Sequence, residues 1–308
     1  RVHDGAAVVT TSDMPRRDPM ETFDHAAAMQ DWSRRQQARG ATIGLVPTMG
    51  ALHDGHLALM REAAKRCDVV VTSIFVNPLQ FNRLDDFDSY PRTFDADLRL
   101  CREHGVDAVY APTATTMYPP GFETQVEPGH LAETLEGAGR PGHFRGVTTV
   151  VTKLFNAVHP NVALFGLKDF QQLAIIRRMV IDLDMGIEVV GIATVRELGG
   201  LAMSSRNGRL NEHQRAASVV VPLSLDAVEA AIARGNEDVT SIREAAAAVI
   251  ASEPLARLEY CELVDPQTLV PVTGTHRPIL ATIAVWFGDV RLIDNRVVAD
   301  DGTAPEHR

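Results

Sequence analysis

The chain has 308 residues, and its 30 basic and 40 acidic side chains give a formal net charge of −10. With 45% hydrophobic and 23% charged residues, the composition excludes disorder along the whole length, and the acidic balance argues against a general nucleic-acid binder. Three widely spaced cysteines and the absence of a signal peptide or of an apolar run of roughly 20 residues predict an unexported protein of a reducing cytoplasm.

The N-terminal part of the chain alternates between apolar runs and helical patterns. Residues 1–21 show no sustained period, and we predict a mobile extension there. Residues 22–39 are predicted to be helical, with Gly40 as the helix-ending residue. Predicted strands then cover 41–47, 69–76, 108–110, 162–165 and 188–195, and predicted helices cover 55–66, 94–104, 147–158 and 169–183. This order predicts an α/β fold with a Rossmann-like, doubly wound parallel sheet.

The pattern changes after residue 195. Two helical stretches, 212–234 and 239–252, precede three β-like runs at 258–264, 279–287 and 290–293, and Gly288-Asp289 predicts a tight hairpin. We therefore expect three parts: the extension 1–21, a Rossmann-like domain 22–195 and a smaller α+β domain 196–308. The region 112–141, rich in Pro, Gly and Thr, is predicted to be an irregular excursion.

The segment PTMGALHDGH (47–56) follows the first predicted strand and opens a helix. This geometry presents backbone N–H groups to phosphates, and His53 and His56, three residues apart, would donate hydrogen bonds to phosphoryl oxygens. The alternative is a pair of solvated or cap-forming histidines. A zinc site would need a third ligand and usually a glutamate within the motif, and both are missing.

Further polar groups follow the other predicted strands. Asn77 and Gln80 come after the second strand and could hydrogen-bond a small polar substrate, although Asn-Pro also initiates turns. Lys168 could hold phosphates, and Asp169 could either cap a helix or bind ribose or Mg²⁺. Three neighbouring aspartates are predicted to form a solvated acidic loop, with Mg²⁺ binding as the alternative: Asp85, Asp86 and Asp88.

Cations and hydroxyls cluster at two other places. Arg140, His143 and Arg145 precede the helix predicted from residue 147 and could bind an anion, but one arginine could equally pair with a surface carboxylate. The segment 203–207 is predicted to be a flexible loop, with Ser204, Ser205 and Arg206, that closes over a triphosphate. A plain Ser-rich linker is the alternative. No G-x-S-x-G elbow supports a hydrolase nucleophile there.

Together these segments resemble the pantothenate synthetase family of pantoate–β-alanine ligases, within the H-x-G-H nucleotidyltransferase superfamily. The matching segments lie in family order across about residues 46–207, with a weaker match at RLIDN (291–295). They are PTMGALHDGH, SIFVNPLQF, SYPRTFDAD, GRPGHFRGV, KLFNAVHP, FGLKDFQQL and GLAMSSRN.

The resemblance implies a ligase reaction in two steps. Pantoate attacks the α-phosphorus of ATP to give pantoyl adenylate, and β-alanine then displaces AMP. It also implies Mg²⁺, a homodimer, a lid-like C-terminal domain and catalytic roles for His56 (the proton donor), His53, Lys168 and Arg206. Gln80 would touch pantoate and β-alanine, and Gln172 would hold pantoate. The implied ATP contacts are Met49, Gly50, Ala51, Leu52, His53, Asp54, Gly55, His56, Gly166, Leu167, Lys168, Asp169, Val195, Met203, Ser204, Ser205 and Arg206.

The sequence departs from the family pattern at three positions. Leu167 and Phe170 replace a more usual Glu and Tyr, and Gly199 stands where Asp is common, which would alter the mobility of the following loop. Two other functions are alternatives: a simple nucleotidylyltransferase for another small anionic substrate, which shares the H-x-G-H motif, and a non-catalytic nucleotide-binding regulator built on the same fold. The regulator would be expected to have lost a histidine or Lys168, whereas this chain has them all.

Overall fold

The larger unit is built on a six-stranded sheet, seen in a computed structural model that describes residues 19–299. All neighbouring strands are parallel, in the order β1-β4-β3-β2-β5-β6. The strands are β1 (Glu21–Phe23), β2 (Ile43–Thr48), β3 (Val69–Ile74), β4 (Ala108–Tyr110), β5 (Val162–Gly166) and β6 (Glu188–Ile192). The chain runs outward from β2 on one side and from β5 on the other. The carboxyl ends of β2 and β5 therefore form the switch point at which such sheets bind ligands.

Helices cover both faces of this sheet because its strands carry buried apolar residues on both sides. The helices α1, α7 and α8 pack on one face, and α2 and α4 pack on the other. The helices of this unit are α1 (Ala26–Ala38), α2 (Asp54–Arg66), α3 (Leu84–Asp88), α4 (Phe94–Glu103), α5 (Ala114–Met117), α6 (Glu136–Gly139), α7 (His143–Val158) and α8 (Phe170–Asp182).

The C-terminal unit is a three-stranded antiparallel sheet with its own apolar core. Its elements are α9 (Glu212–Ala217), α10 (Val220–Ala233), α11 (Val239–Ala251), β7 (Ala256–Val264), β8 (Ile279–Phe287) and β9 (Val290–Val298). Phe287 pairs with Val290, so Gly288 and Asp289 form the two-residue hairpin turn predicted from the sequence. Gly288 has φ +63°, a left-handed conformation that glycine adopts without strain.

A buried ion-pair network joins the two units. Arg291 of β9 donates to both carboxylate oxygens of Glu136 in α6, at 2.6 and 2.8 Å, and to Glu259 of β7, at 2.8 and 2.9 Å. Tyr260 donates a further hydrogen bond of 2.6 Å to Glu136. Burial alone would raise the pKa of Glu136, but Arg291 and Tyr260 hold it below its usual value. The network therefore fixes β9 against the segment that leads into α7.

The predicted fold class is confirmed, and the differences are local. Residues 21–23 form the edge strand β1. The predicted extension 1–21 is therefore wrong at residue 21, and the helix predicted from residue 22 begins at Ala26. The rest of the predicted extension, residues 1–18, lies outside the described residues. Helix α7 begins at His143 rather than 147, and the helix predicted at 212–234 is two helices. The predicted irregular region 112–141 contains the short helices α5 and α6, and α3 was not predicted.

One helical stretch, Glu212–Ala233, is long and apolar enough to cross a membrane by those two criteria, contrary to the expectation from the sequence. It comprises α9 and α10, and 56% of its most apolar window is buried inside the protein. Val221, Leu225 and Val228 of α10 pack in the C-terminal core. Packing within this unit therefore accounts for the apolar composition of the stretch.

Candidate active site

A cleft lies at the carboxyl ends of β2, β3, β5 and β6, at the switch point of the sheet. It brings together all four residues predicted to be catalytic and most of the predicted binding residues. The predicted residues that border it are Met49, His53, Gly55, His56, Gln80, Gly166, Lys168, Asp169, Gln172, Val195, Met203, Ser204, Ser205 and Arg206. The other predicted ATP contacts do not border it: Gly50, Ala51, Leu52, Asp54 and Leu167.

A buried carboxylate explains why part of the loop after β2 turns away from the cleft. Asp97 of α4 is 2% exposed and accepts hydrogen bonds from the backbone N–H groups of Ala51 (3.0 Å) and Leu52 (2.9 Å). Gly50 and Ala51 both have left-handed backbones, with φ of +78° and +50°. The two amides therefore position the loop instead of facing a phosphate. Sequence reasoning missed Asp97, although it lies in the SYPRTFDAD segment.

The two histidines cap α2 and border the cleft at the same time. His53 Nδ1 accepts from the Gly55 N–H at 3.2 Å, and His56 Nδ1 accepts from the His53 N–H at 3.3 Å. The ring centroids are 4.1 Å apart. Because each Nδ1 is an acceptor, the proton of each neutral ring lies on Nε2. The capping role and the cleft-facing role, posed as alternatives from the sequence, are both present.

Burial keeps these histidines uncharged. It lowers the pKa of His56 to about 3, with further lowering by His53 and Lys168. The pKa of His53 is lowered by burial and by Lys168. At neutral pH both rings are therefore Nε2–H donors rather than imidazolium acids.

Acid is expected to destabilise the ligand-free protein through two histidines, the half-buried His56 and the buried His143. His56 has a pKa of about 3 and His143 one of about 4, against 6.5 for an exposed histidine. Between these values the unfolded chain binds protons that the folded chain does not, so the free energy of unfolding falls as the pH drops below 6.5. Urea denaturation at pH 7, 6 and 5 measures this slope. His56→Gln and His143→Gln should each flatten it, and an unchanged slope in both variants would refute the assignment.

Asn77 orients the side chain of Gln80. Its buried amide donates to Gln80 Oε1 and to the Gly146 carbonyl, both at 3.0 Å, and accepts from Tyr118 Oη at 2.7 Å. Gln80 Nε2 is left facing Met49 Sδ at 3.2 Å. Asn77 also accepts from the Leu79 N–H, as a turn residue does. Gln80 therefore presents its NH₂ group, a hydrogen-bond donor, towards Met49 at the border of the cleft.

The turn after β5 carries Lys168 and Asp169. Lys168 Nζ lies 3.9 Å from the Asp169 carboxylate. Asp169 makes no side-chain cap on α8, so the capping interpretation of this residue is wrong and its half-exposed carboxylate remains available to the cleft.

Two adjacent residues of β9 hold the loops after β5 and β6. Asn295 donates to the carbonyls of Leu167 and Lys168 at 3.0 and 2.7 Å. Asp294 is 1% exposed and binds both terminal nitrogens of Arg196 at 2.6 and 3.0 Å. Sequence reasoning did not assign roles to these residues, and the RLIDN match was their only signal.

The segment after β6 forms a short helix whose side chains are paired. Ser205–Arg209 form a 3₁₀ helix that Ser204 caps, and Ser205 Oγ lies 3.3 Å from Tyr90 Oη. Arg206 and Arg209 each bind Asp86 at 2.9 Å. Burial raises the pKa of Asp86, but the two arginines outweigh it and hold the pKa below its usual value. The prediction that Asp86 is solvated is therefore wrong, whereas the flexibility of residues 203–207 stays a prediction.

Of the two arginines predicted to bind an anion before α7, one pairs with a surface carboxylate and the other borders the cleft. Arg145 pairs with the exposed Glu127 at 3.4 Å, while Arg140 and His143 border the cleft. Within residues 19–299 no group of three or more His, Cys, Asp or Glu side chains is arranged to hold a metal ion.

Comparisons with known proteins agree with this geometry. The family model described as pantoate-beta-alanine ligase matches residues 21–297. The pantothenate synthetase of Heliobacterium modesticaldum is 50% identical over 279 residues, covering 91% of this chain and 99% of the relative. That of Geobacter sulfurreducens is 47% identical over 282 residues, covering 92% and 100%.

Solved structures give the same result. The crystal structure of pantothenate synthetase from Thermus thermophilus is 42% identical, with a TM-score of 0.85, and covers 90% of this chain and 99% of that one. The pantoate-beta-alanine ligase from Francisella tularensis, complexed with beta-gamma ATP and beta-alanine, is 31% identical, with a TM-score of 0.76 and coverage of 93% and 100%.

Proposed function

The chain belongs to the pantoate–β-alanine ligase family, and from this premise we propose that one cleft, at the switch point of the large sheet, performs both steps of the reaction. The enzyme is an ATP-dependent ligase that condenses pantoate with β-alanine to give pantothenate, AMP and pyrophosphate. The observation that carries the site proposal is the convergence of His53, His56, Lys168, Gln80 and Gln172 on one cleft.

In the first step a pantoate carboxylate oxygen attacks the α-phosphorus of ATP, and the bond from that phosphorus to the pyrophosphate oxygen breaks. His53 and His56 donate Nε2–H hydrogen bonds to phosphoryl oxygens, and Lys168 offsets the charge that collects there. Gln172 and the NH₂ group of Gln80 hold pantoate. Arg206 exchanges part of its pairing with Asp86 for the triphosphate.

In the second step the β-alanine amine attacks the acyl carbon of pantoyl adenylate. The bond from that carbon to the phosphate oxygen breaks, AMP leaves, and the amine proton passes to solvent. Closure of the space between the two units would protect the adenylate from water. The C-terminal unit, residues 196–308, is proposed to be the lid, and the large unit carries the nucleotide and pantoate sites.

Mg²⁺ is proposed to enter with ATP. Asp86 is occupied by two arginines, so the half-exposed carboxylate of Asp169 is the protein ligand that fits best. One carboxylate with phosphate and water oxygens is a usual magnesium site, and the ion would neutralise phosphate charge there.

We also propose a cytoplasmic homodimer, as expected from the family resemblance. The three cysteines are buried and free, in agreement with a reducing compartment. Elution as a monomer in sizing chromatography would contradict the dimer.

Exchange of labelled pyrophosphate into ATP tests the adenylate pathway. With pantoate and Mg²⁺ but no β-alanine, we expect exchange, and adding β-alanine should then give AMP and the amide. Amide formation without prior exchange would indicate a concerted or strictly ordered mechanism. If neither activity is seen, the nucleotidylyltransferase or the regulator becomes the better explanation.

A further inference from the structure

Arg140 is a cation in the cleft with no carboxylate partner. One of its terminal nitrogens donates to the Gln80 carbonyl at 3.2 Å, and the other lies 3.2 Å from His143 Nε2. His143 Nδ1 is 2.7 Å from the same Gln80 carbonyl and donates to it, so His143 Nε2 is the acceptor for Arg140. Within residues 19–299, no carboxylate lies within the 4.0 Å of an ion pair with this guanidinium.

The nearby acidic groups are used elsewhere. Glu136 binds Arg291 and Tyr260, and Asp86 binds Arg206 and Arg209. Burial and the neighbouring Arg206 lower the pKa of Arg140 to about 10, although the more distant carboxylates of Glu136 and Asp86 act in the opposite direction. Arg140 is therefore charged at neutral pH but makes no close pair with either carboxylate. Buried charges in proteins are normally paired. A ligand anion in the cleft can therefore form the close pair with Arg140 that the protein does not supply.

Two of the five N–H groups of the guanidinium are used by Gln80 and His143, which leaves three for a ligand. A carboxylate matches that planar arrangement and is held by paired hydrogen bonds. Arg140 borders both the cleft and the adjoining space between the two units, where Trp286 and Tyr260 lie. A ligand in either space can therefore reach its guanidinium.

We propose that Arg140 binds the carboxylate of β-alanine and selects amine substrates that carry one. This inference rests on the proposed function. The phosphates of ATP face the group formed by His53, His56 and Lys168, and the pantoate carboxylate is consumed in the first step. The β-alanine carboxylate is the one substrate carboxylate that stays ionised throughout the reaction. Arg140 binds the backbone of Gln80, the residue proposed to touch β-alanine, so binding of the carboxylate beside it directs the amine towards the adenylate.

The test compares Arg140→Gln with the wild-type enzyme on two amines: β-alanine and its neutral analogue 3-aminopropanamide. We expect kcat/KM for β-alanine to fall about 10²-fold, mainly through KM, as for a lost charged hydrogen-bonded pair. The variant should react with 3-aminopropanamide as slowly as the wild type does. Arg140→Lys should restore part of the preference for β-alanine. Arg145→Gln, an exposed arginine in the first turn of α7, is the matched control and should change neither substrate.

Pantoate-dependent pyrophosphate exchange without an amine separates this inference from the proposed function. Exchange should stay within about twofold of the wild-type rate in Arg140→Gln, because the first step makes no use of this contact. A parallel loss of exchange would overturn the proposal, since Arg140 would then serve ATP or pantoate. Equal losses on both amines would also overturn it. Absence of exchange in the wild-type enzyme would instead refute the proposed function. If Arg140→Gln does not fold, the amine preference of Arg140→Lys decides the matter.

Discussion

Replacing His56 with alanine is expected to slow adenylate formation by at least about 10²-fold, the usual cost of removing a preorganised donor to a transition-state oxygen. The ring is half-buried, its Nδ1 accepts from the His53 N–H, and its Nε2–H is the donor left for the phosphoryl oxygen in the proposed mechanism. Pyrophosphate exchange measures the loss, and circular dichroism establishes that the variant is folded.

Two variants and a pH profile make this prediction specific. His56→Gln keeps an N–H donor near the position of Nε2 and should recover part of the rate. His213→Ala removes an exposed histidine of α9 and should leave the rate unchanged. Because the ring is already neutral, the rate should not fall as the pH rises through 6 to 7. Near-normal exchange in a folded His56→Ala protein would remove the residue from the mechanism.

Replacing Arg291 with methionine is expected to lower the free energy of unfolding by about 3–5 kcal/mol, because it leaves the buried Glu136 carboxylate without its cation. Arg291 and Glu136 have side chains only 15% and 10% exposed. The hydrogen bond from Tyr260 and the more distant charge of Arg140 do not replace the two hydrogen bonds that Arg291 donates to Glu136. Chemical denaturation monitored by fluorescence gives the difference.

A mutant cycle identifies the cause of that loss. Glu136→Gln combined with Arg291→Met should be less destabilised than the sum of the two single variants, because it removes both charges. Arg257→Met is the control on β7: its exposed guanidinium stacks on Trp286 at 5.5 Å and its loss should cost less than about 1 kcal/mol. If Arg291→Met also lowers the free energy of unfolding by less than about 1 kcal/mol, the network contributes little to stability.

The parts of the site that depend on residues adjacent in sequence were predictable. A strand, a glycine-containing turn and a helix recur at 43–56 and at 162–172, so His53, His56 and Lys168 were expected at the ends of strands. The order of the β and α segments then implied that these ends meet at one edge. The hairpin at Gly288 was predictable for the same local reason.

Contacts between distant residues were not predictable. Asp97 holds a loop 45 residues earlier, and Asn295 holds one 127 residues earlier. Asp86 was predicted to be solvated because its arginine partners lie 120 and 123 residues along the chain. Strand β1 has only three residues, two of them exposed, so its sequence shows no strand pattern. Its pairing with β4 makes it a strand. In each case the deciding interaction is tertiary.

Strand β9 joins the C-terminal unit to the large unit at two separate points. Arg291 is bonded to Glu136, and Asn295, about 13 Å further along the strand, is bonded to the turn that carries Lys168. Val264, Leu269 and Leu280 of the same unit add an apolar contact, because they are buried in the core of the large unit. A substitution in β9 can therefore move Lys168, although no residue of β9 borders the cleft.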